Sequence, residues 1–203
     1  MNKLKILLFL ILFLTTNNQL KANQIKILAI IGDDIITNLD FYNEKKTLEF
    51  LNKTKINDIN NLAIINLMIE DKIKEIEINL KKISISENDI NKKLNLILNQ
   101  NNNLEINKNI KKNLKRKIKV NSGWEKLVFL KYRRQLEVNM NEINEIMKIK
   151  KIPAERKDII VNSEKKKKIN IFSKIYLNEL KKKYYIKKNI WDLLVFYCVT
   201  IKV

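Results

Sequence analysis

Three aspartates stand close together near the start of the chain, at Asp33, Asp34 and Asp40. Carboxylates at short spacing can bind hard metal ions or carry out general acid–base catalysis. The neighbouring sequence supplies none of the further ligands that a metal ion would need. Asp33 and Asp34 directly follow Gly32, and such a triplet is typical of a tight turn. We therefore expect a structural role for these acids, and we expect no cofactor.

The sequence contains no histidine and one cysteine, Cys198. Histidine is the usual general base, a common zinc ligand, and the partner of serine or cysteine nucleophiles. Catalysis by a histidine base, zinc binding through histidine, and Ser–His or Cys–His pairs are therefore excluded. A single cysteine also excludes an intramolecular disulfide.

The chain carries a formal net charge of +19, spread along its length. One interpretation is a protein that binds nucleic acid or an anionic membrane surface. The other is that lysine fills solvent-facing helix positions in a sequence whose Ile, Lys and Asn content is typical of an AT-rich genome. Lysines are densest at 111–119 and 165–168, but the sequence has neither an arginine-rich arm nor a basic stripe interleaved with aromatic residues. We favour the second interpretation.

Residues 1–22 have the organisation of a secretory signal peptide. Lys3 and Lys5 form a positive start, residues 6–14 are an unbroken apolar run, and a polar stretch predicts cleavage between Ala22 and Asn23. The apolar run is shorter than the ~20 residues that span a bilayer, and the alternative is a short uncleaved anchor. A cleaved leader predicts export to the periplasm, where a protein rarely meets nucleic acid but can meet anionic lipid or unfolded chains.

The sequence after the leader predicts a β-hairpin. Two runs rich in β-branched residues, Ile27–Ile31 and Ile35 with Ile36, flank the turn at Gly32. Thr37 or Asn38 then offers a side-chain oxygen that can cap a helix.

Helical periodicity dominates the rest of the chain. Glycine and proline are scarce, with counts of 2 and 1, which favours long helices over a turn-rich β fold. Apolar spacings of three and four predict helices at 39–51, Asn61–Leu80, Glu87–Asn99, 104–120, 124–136, 140–147 and 165–185. The first helix is expected to bury Leu39, Tyr42, Leu48 and Leu51. The second is expected to bury Leu62, Ile65, Ile69, Ile73, Ile76 and Leu80.

Two helix starts carry the signature of a capping box, in which the cap residue precedes an acid by three positions. These pairs are Ser86 with Asp89 and Asn139 with Glu142. Residues 121–123, Asn-Ser-Gly, are expected to separate two helices.

Pro153 is expected to end the helical run, before a short strand at 158–161. The apolar tail at 190–203 also contains strand-like residues. Either segment is a candidate for a third strand beside the hairpin.

The order of motifs across residues 25–150 resembles the N-terminal domain of SurA-type periplasmic chaperones. The hairpin ends in Ile-Thr-Asn-Leu-Asp at 36–40, and the long helix carries Leu-Met-Ile-Glu-Asp-Lys-Ile at 67–73. The next helix opens with Ile-Ser-Ile-Ser-Glu-Asn-Asp-Ile at 83–90. The stretch 118–143 is similar to the part that closes the domain in that family. The ordered set of motifs behind a leader carries the resemblance.

In that family a parvulin-type prolyl isomerase domain follows, and residues 153–203 are similar to its beginning. Residues 158–161 stand where its first strand belongs, and 165–185 where its first helix belongs. The glycine-rich segment, the remaining strands and the paired histidines of active parvulins are missing. We therefore expect no isomerase activity, although a prolyl isomerase remains an alternative. A truncated gene product without function is another, because the chain ends abruptly in apolar residues.

The resulting prediction is a mainly α protein in which a small β-hairpin opens a helical SurA-like domain and a short incomplete α+β segment follows. The predicted boundaries are 1–22 for the signal peptide, 23–152 for the helical chaperone domain and 153–203 for the parvulin-like segment.

The resemblance implies a periplasmic holdase that binds unfolded outer-membrane proteins, or other extended polypeptides, without working isomerase chemistry. A shallow apolar groove suits this task. The candidate client-binding residues are Phe41, Tyr42, Phe50, Trp124, Leu127, Phe129 and Tyr132. Each of them taken alone is more readily explained as ordinary core. A homodimer and weak membrane-surface contact are further expectations, and a basic membrane-surface or nucleic-acid binder is the second alternative.

Overall fold

The computed structural model describes residues 24–57, 60–101 and 106–189. In chain order the elements are β1 (Ile27–Ile31), β2 (Asp34–Thr37), α1 (Asn38–Asn52), α2 (Asn61–Leu80), α3 (Glu87–Asn99), α4 (Lys108–Lys131), α5 (Met140–Ile149), α6 (Lys157–Lys183) and β3 (Ile186–Lys188). This mainly helical fold with a small antiparallel sheet confirms the predicted fold class. The predicted leader, its cleavage site at Ala22 and Asn23, and the tail 190–203 lie outside the described residues.

The strands β1 and β2 form the predicted hairpin. They pair antiparallel, with Ile30 opposite Ile35 and Ile31 opposite Asp34. Gly32 has a φ of 57°, which glycine adopts without the steric cost that a side chain would add. Asp33 and Asp34 directly follow Gly32 at this turn, as the sequence predicted.

A capping box joins the hairpin to α1. The Thr37 hydroxyl accepts a 3.2 Å hydrogen bond from the Asp40 backbone N–H. The Asp40 carboxylate accepts one of 2.9 Å from the Thr37 backbone N–H. Because these bonds satisfy donors that the helix start leaves free, Asp40 has a structural role.

The third strand of the sheet is β3, and the strand order is β2-β1-β3. It pairs antiparallel with β1, and the Gly32 backbone N–H donates a 2.9 Å hydrogen bond to the carbonyl of Tyr185 just before β3. The strand predicted at 158–161 is wrong, because these residues belong to α6. Ile159, Ile160 and Val161 lie near the start of this 27-residue helix, and Ile159 is 62% exposed.

The buried face of α1 agrees only in part with the predicted one, since Leu48 and Leu51 are half-buried against apolar clusters as expected. Its buried residues are Phe41, Glu44, Thr47 and Phe50. Leu39 and Tyr42, which the sequence placed inside, are 56% and 57% exposed. The periodicity was misleading because two inward positions hold polar residues whose partners lie on α4, a helix distant in sequence.

The middle of α2 is buried as predicted at Ile65, Ile69 and Ile73. Leu62 and Leu80, at its two ends, are 51% and 61% exposed, so these two predictions are wrong. The helix contacts α1, α4, α6 and β1. Its buried surface is therefore wider than one apolar stripe, and it is confined to the part that these neighbours cover.

The helix α4 continues through residues 121–123, so the predicted break there is wrong. A Cβ atom on Gly123 would lie 3.1 Å from Ile78 Cδ1 and 3.2 Å from Ile78 Cγ2. Glycine at this position lets α4 approach α2 closely, which is a packing role and not a helix-ending one.

The two predicted capping boxes at α3 and α5 do not form as such. Ser86 is the N-cap of α3 but makes no side-chain capping bond. Asn139 caps α5 by accepting a 3.0 Å hydrogen bond from the Asn141 N–H. Glu142 bonds to the side-chain amide of Asn139 at 3.3 Å, whereas a capping box would require the backbone N–H of the cap.

Buried apolar side chains form two clusters. The larger core lies between the sheet and α2, α4 and α6, and contains Leu28, Ala29, Ile31, Ile36, Phe41, Ile64, Ile65, Met68, Ile69, Ile73, Ile78, Val120, Trp124, Leu127, Val128, Tyr176, Leu177 and Leu180. The smaller core joins α1, α3 and the first half of α4, and contains Phe50, Ile90, Leu94, Ile110, Leu114 and Ile118. Both cores share α4, which positions the surface described next.

The C-terminal half of α6 belongs to the larger core, and the helix also contacts α5. The predicted domain boundary at residue 153 stays a prediction. Within the described part of the chain, no helix has an apolar stretch long enough to cross a lipid bilayer.

Candidate functional site

A shallow groove opens between α3, α4 and α6. Its volume is about 290 Å³, and we call it the Phe129 groove. It is lined by Lys93, Ser122, Glu125, Lys126, Phe129 and Ile169. Phe129 is 45% exposed, so its ring presents apolar surface to solvent. The groove therefore combines an apolar floor with polar and charged rims.

Two lysines at the rim are held by hydrogen bonds. Lys93 Nζ on α3 donates to the Ser122 hydroxyl on α4 at 2.9 Å. Lys126 Nζ donates to the backbone carbonyl of Ser84 at 3.0 Å. Both bonds lie at the exposed surface, where a polar partner can replace them at small cost.

The helix register of α4 turns Phe129 outward. Leu127 and Val128, its immediate neighbours, are buried in the larger core, at 5% and 0% exposure. Since successive helical residues are about 100° apart, burial of these two leaves the next position facing solvent. The core thus fixes where the ring of Phe129 stands.

A stack of aromatic side chains holds α4 against α6 beside the groove. Trp124 and Tyr176 are stacked with ring centroids 5.2 Å apart, and Tyr132 and Phe172 with centroids 4.6 Å apart. The Trp124 indole N–H donates a 2.8 Å hydrogen bond to the hydroxyl of Ser173. These contacts make the α4–α6 wall of the groove rigid.

A buried carboxylate ties the same wall to α2. Glu77 is 3% exposed and accepts hydrogen bonds from the hydroxyls of Tyr176 at 2.6 Å and Tyr184 at 3.1 Å. Burial, and then the bond to Glu77, raise the pKa of Tyr176 well above its usual value. The same two causes raise the pKa of Tyr184. Both phenols therefore stay protonated and remain donors at neutral pH.

Lys131 adds a cation to this region. Its Nζ lies 3.5 Å from the centroid of the Tyr176 ring, and 3.8 Å from the carboxylate of Glu179. The ring contact is a cation–π interaction, and it adds to the attachment of α4 to α6.

A network of charges joins α1, α2 and α4 in the middle of the fold. Lys117 Nζ lies 2.5 Å from Glu44 Oε1 and 3.1 Å from Asp71 Oδ2, and Glu44 is 1% exposed. Burial by itself would lower the pKa of Lys117, but attraction to Asp71 and Glu44 outweighs it and raises that pKa. Asn113 Nδ2 completes the shell by donating to Glu44 Oε2 at 2.9 Å.

This network has the features of a structural element. Its charges are paired and hydrogen-bonded among themselves, and Arg116 adds contacts of 3.6 Å to Glu44 and 3.7 Å to Glu75. In the described part of the chain, no group of three histidine, cysteine, aspartate or glutamate residues could hold a metal ion.

A second cleft, of about 270 Å³, lies at the end of α1. It is lined by Lys46, Glu49, Phe50, Lys53, Thr54, Lys55 and Ile110. Burial would raise the pKa of Glu49, but the N–H of Ile56, at 3.2 Å, and the Lys46 ammonium outweigh burial and lower it. Phe50, the aromatic residue of this lining, is only 6% exposed, so the cleft does not present an exposed aromatic ring as the Phe129 groove does.

The structure separates the residues that the sequence proposed for client binding. Phe41, Trp124 and Leu127 lie in the larger core, and Phe50 lies in the smaller one. Tyr132 is half-buried in its stack with Phe172.

Two of the proposed residues are exposed. Tyr42 stands on the outer face of α1, where Lys46 Nζ lies 5.7 Å from its ring, and Phe129 lines the groove. Lys93, Lys126 and Ile169 were missed as groove residues. These residues come together only because three helices, α3, α4 and α6, pack side by side. No sequence signal predicts that packing.

The chain matches no protein-family model, and no curated protein matches it. The resemblance to SurA-type chaperones therefore stays a prediction.

Proposed function

We propose that the protein is a periplasmic holdase chaperone that binds unfolded outer-membrane proteins, and other extended polypeptides, at the Phe129 groove. The observation that carries this proposal is the exposed ring of Phe129, which lines an open groove together with Ile169 between polar and charged rims. An unfolded polypeptide offers apolar side chains on an adaptable backbone, and a shallow apolar site can accept many such sequences.

The size of the groove supports a polypeptide side chain over a small-molecule ligand. Pockets for small molecules and cofactors are commonly about 300–1,000 Å³ and bury most of the ligand surface. The Phe129 groove, at about 290 Å³, lies at the lower limit of that range and is open to solvent. It suits one apolar side chain of a longer chain.

The firm support of the groove also favours binding. Phe129 follows two core residues, and the wall from α6 is fixed by the Trp124–Tyr176 stack and by Glu77. A preformed site avoids the entropic cost of ordering its own side chains when a client binds.

The test is suppression of aggregation when a urea-unfolded β-barrel outer-membrane protein is diluted into buffer that contains the purified chain. We expect the wild type to reduce light scattering and Phe129→Asp to lose most of that effect. Leu130→Asp is the matched control, because Leu130 is 52% exposed on the same helix but does not line the groove. Absence of suppression by the wild type, or equal loss in both variants, would contradict the proposal.

The periplasmic location is tested separately. The full chain is fused at its C-terminus to a reporter enzyme that becomes active only after export. Activity in the wild type that disappears when Lys3, Lys5 and the apolar run 6–14 are replaced by polar residues supports export. An inactive reporter would contradict it.

A further inference from the structure

The cations of α4 fall into two sets with different surroundings. The helix contains nine lysines and arginines and one acid, Glu125. Arg116 and Lys117 face α1 and α2, where Glu44, Asp71 and Glu75 compensate them. The inward charges of α4 are thus balanced within the fold.

Five of the outward cations form a row that we call the lysine stripe, namely Lys108, Lys112, Lys115, Lys119 and Lys126. The exposed Lys111 lies beside this row, and Lys131 lies against Tyr176 and Glu179. Spacings of four, three, four and seven residues place the five lysines of the stripe on one face of the helix, over a length of about 27 Å. Within the described residues the stripe has one salt bridge, from Lys115 Nζ to Glu87 at 2.7 Å. The other four lysines form no salt bridge within the described residues, although Lys119 also attracts the Glu87 carboxylate.

The lysine stripe runs into the Phe129 groove. Lys126 is both the last member of the stripe and a rim residue of the groove, and Ser122 lies between Lys119 and Lys126 on the same face. Aligned like charges repel one another and attract an anionic partner. A partner that occupies the groove and extends along α4 therefore meets cations on one side of its apolar contact.

We propose that the groove selects extended polypeptide segments in which one apolar side chain is flanked, on one side only, by several acidic residues. The apolar side chain occupies the Phe129 groove and the acidic residues lie along the lysine stripe. At about 3.3 Å per extended residue, the stripe accommodates about eight residues. This inference rests on the proposed function and names the clients for which the same site is selective.

The shape of the stripe favours a polypeptide over other anionic partners. A bilayer or a nucleic-acid duplex presents charge over a broad surface, whereas the stripe is a narrow row along one helix. Lys111 widens the row at one end, and Asn109 and Ser122 beside it carry no charge. A single extended chain matches a single row of cations that ends in an apolar groove.

The experiment measures fluorescence anisotropy of labelled peptides of about eight residues added to the purified chain. One peptide carries a terminal Phe followed by alternating Glu and Ser, a second has Gln for every Glu, and a third has Lys for every Glu. We expect the acidic peptide to bind about tenfold more tightly than the Gln peptide at about 0.05 M salt, and this preference to vanish at about 0.5 M.

Two double variants test where the preference arises. Lys112→Glu with Lys119→Glu is expected to abolish it. The control, Lys165→Glu with Lys166→Glu, makes the same charge change at exposed positions of α6 and is expected to retain it. Circular dichroism verifies that each variant is folded.

The outcomes separate this inference from the proposed function. Equal binding of the acidic and Gln peptides, with both abolished by Phe129→Asp, overturns the inference and leaves the proposed function standing. No binding of any peptide overturns both. Equal loss in the two double variants, or tighter stripe-dependent binding of anionic vesicles or of RNA, also overturns the inference.

Discussion

The hydroxyl of Tyr176 donates a 2.6 Å hydrogen bond to the carboxylate of Glu77, 99 residues earlier in the chain. Tyr184 donates a second bond, of 3.1 Å, to the other oxygen of the same carboxylate. Glu77 is buried and no cation forms a salt bridge with it in the described part of the chain. The two phenols therefore provide the polar contacts that make the burial of Glu77 tolerable. They also attach α6, and the short segment between α6 and β3, to α2.

Replacing Tyr176 by phenylalanine is expected to destabilise the fold. The substitution keeps the ring but removes the shorter of the two bonds to Glu77, and a buried carboxylate that loses a donor costs about 1–3 kcal/mol. Urea unfolding measures the loss. Tyr185→Phe is the control, since Tyr185 is 67% exposed, and it is expected to change stability by less than about 0.5 kcal/mol. Equal effects of the two substitutions would show that the Tyr176–Glu77 hydrogen bond does not stabilise the fold.

Stability is expected to fall above pH 10 because of the raised pKa of Tyr176. In the unfolded chain this phenol ionises near its ordinary value of 10.0, whereas the folded state keeps the proton to higher pH. The stabilisation is therefore complete below pH 10 and is lost as the pH rises towards the folded pKa. One such group changes the free energy of unfolding by at most about 1.4 kcal/mol per pH unit.

Urea titrations at several pH values above 10 measure that slope. Tyr176→Phe removes one of the two phenols whose pKa is raised at Glu77, so the difference between the two slopes reports the Tyr176 phenol. Identical slopes would show that the Tyr176 proton does not contribute to stability.

Removing the charge of Lys117 is expected to cost about 1–3 kcal/mol, because Lys117→Met removes the cation that Glu44 and Asp71 share, while Arg116 and Lys74 still contact these carboxylates. The matched control is Lys112→Met, on the outward face of α4, where a change below about 0.5 kcal/mol is expected. Thermal and urea unfolding give both values. A loss in Lys117→Met no larger than in the control would mean that the network contributes nothing to stability.

The close approach of α4 to α2 predicts that Gly123→Ala destabilises the protein by about 1 kcal/mol, although alanine is the better helix former. The new methyl group would press on Ile78, which is 4% exposed and cannot turn into solvent. Ile78→Val removes the nearest atom and is expected to recover part of the loss in the double variant. Asn121→Ala, at an exposed position, is expected to gain stability. A gain of stability in Gly123→Ala would show that the Ile78 side chain moves to accommodate the new methyl group.

Local signals in the sequence predicted the hairpin, a helix cap at Thr37 or Asn38, and the extent of α2 and α3. Each of these depends on residues that are neighbours along the chain: β-branched runs around Gly32, a side-chain oxygen at the helix start, or apolar residues one helical turn apart. Local signals did not suffice at Ser86, which makes no side-chain capping bond although Asp89 stands three residues later.

The wrong predictions concern residues whose environment comes from elsewhere in the chain. Glu44 faces inward because Lys117 and Asn113 of α4 meet it there. Gly123 continues a helix because Ile78 of α2 leaves no room for a larger residue. The strand beside β1 lies at Ile186–Lys188, where the end of α6 delivers it, and not at 158–161.

The candidate site was predictable only in part. Phe129 could be named as an exposed aromatic candidate, but the sequence could not separate it from Trp124, Leu127 and Tyr132 on the same helix. Burial made that distinction, since two of those three side chains enter the larger core and Tyr132 stacks on Phe172.

By itself the sequence determined a mainly helical fold opened by a hairpin, a strongly basic chain, and the exclusion of histidine chemistry. It did so because composition and short-range periodicity are properties of the chain alone. Only the tertiary structure decided which face of each helix is buried, that the inward cations of α4 are paired while most of its outward ones form no salt bridge with the described residues, and that Phe129, Ile169 and Lys93 share a groove. These features depend on which distant segments pack together, because burial and charge pairing are set by neighbours in space and not by neighbours in sequence.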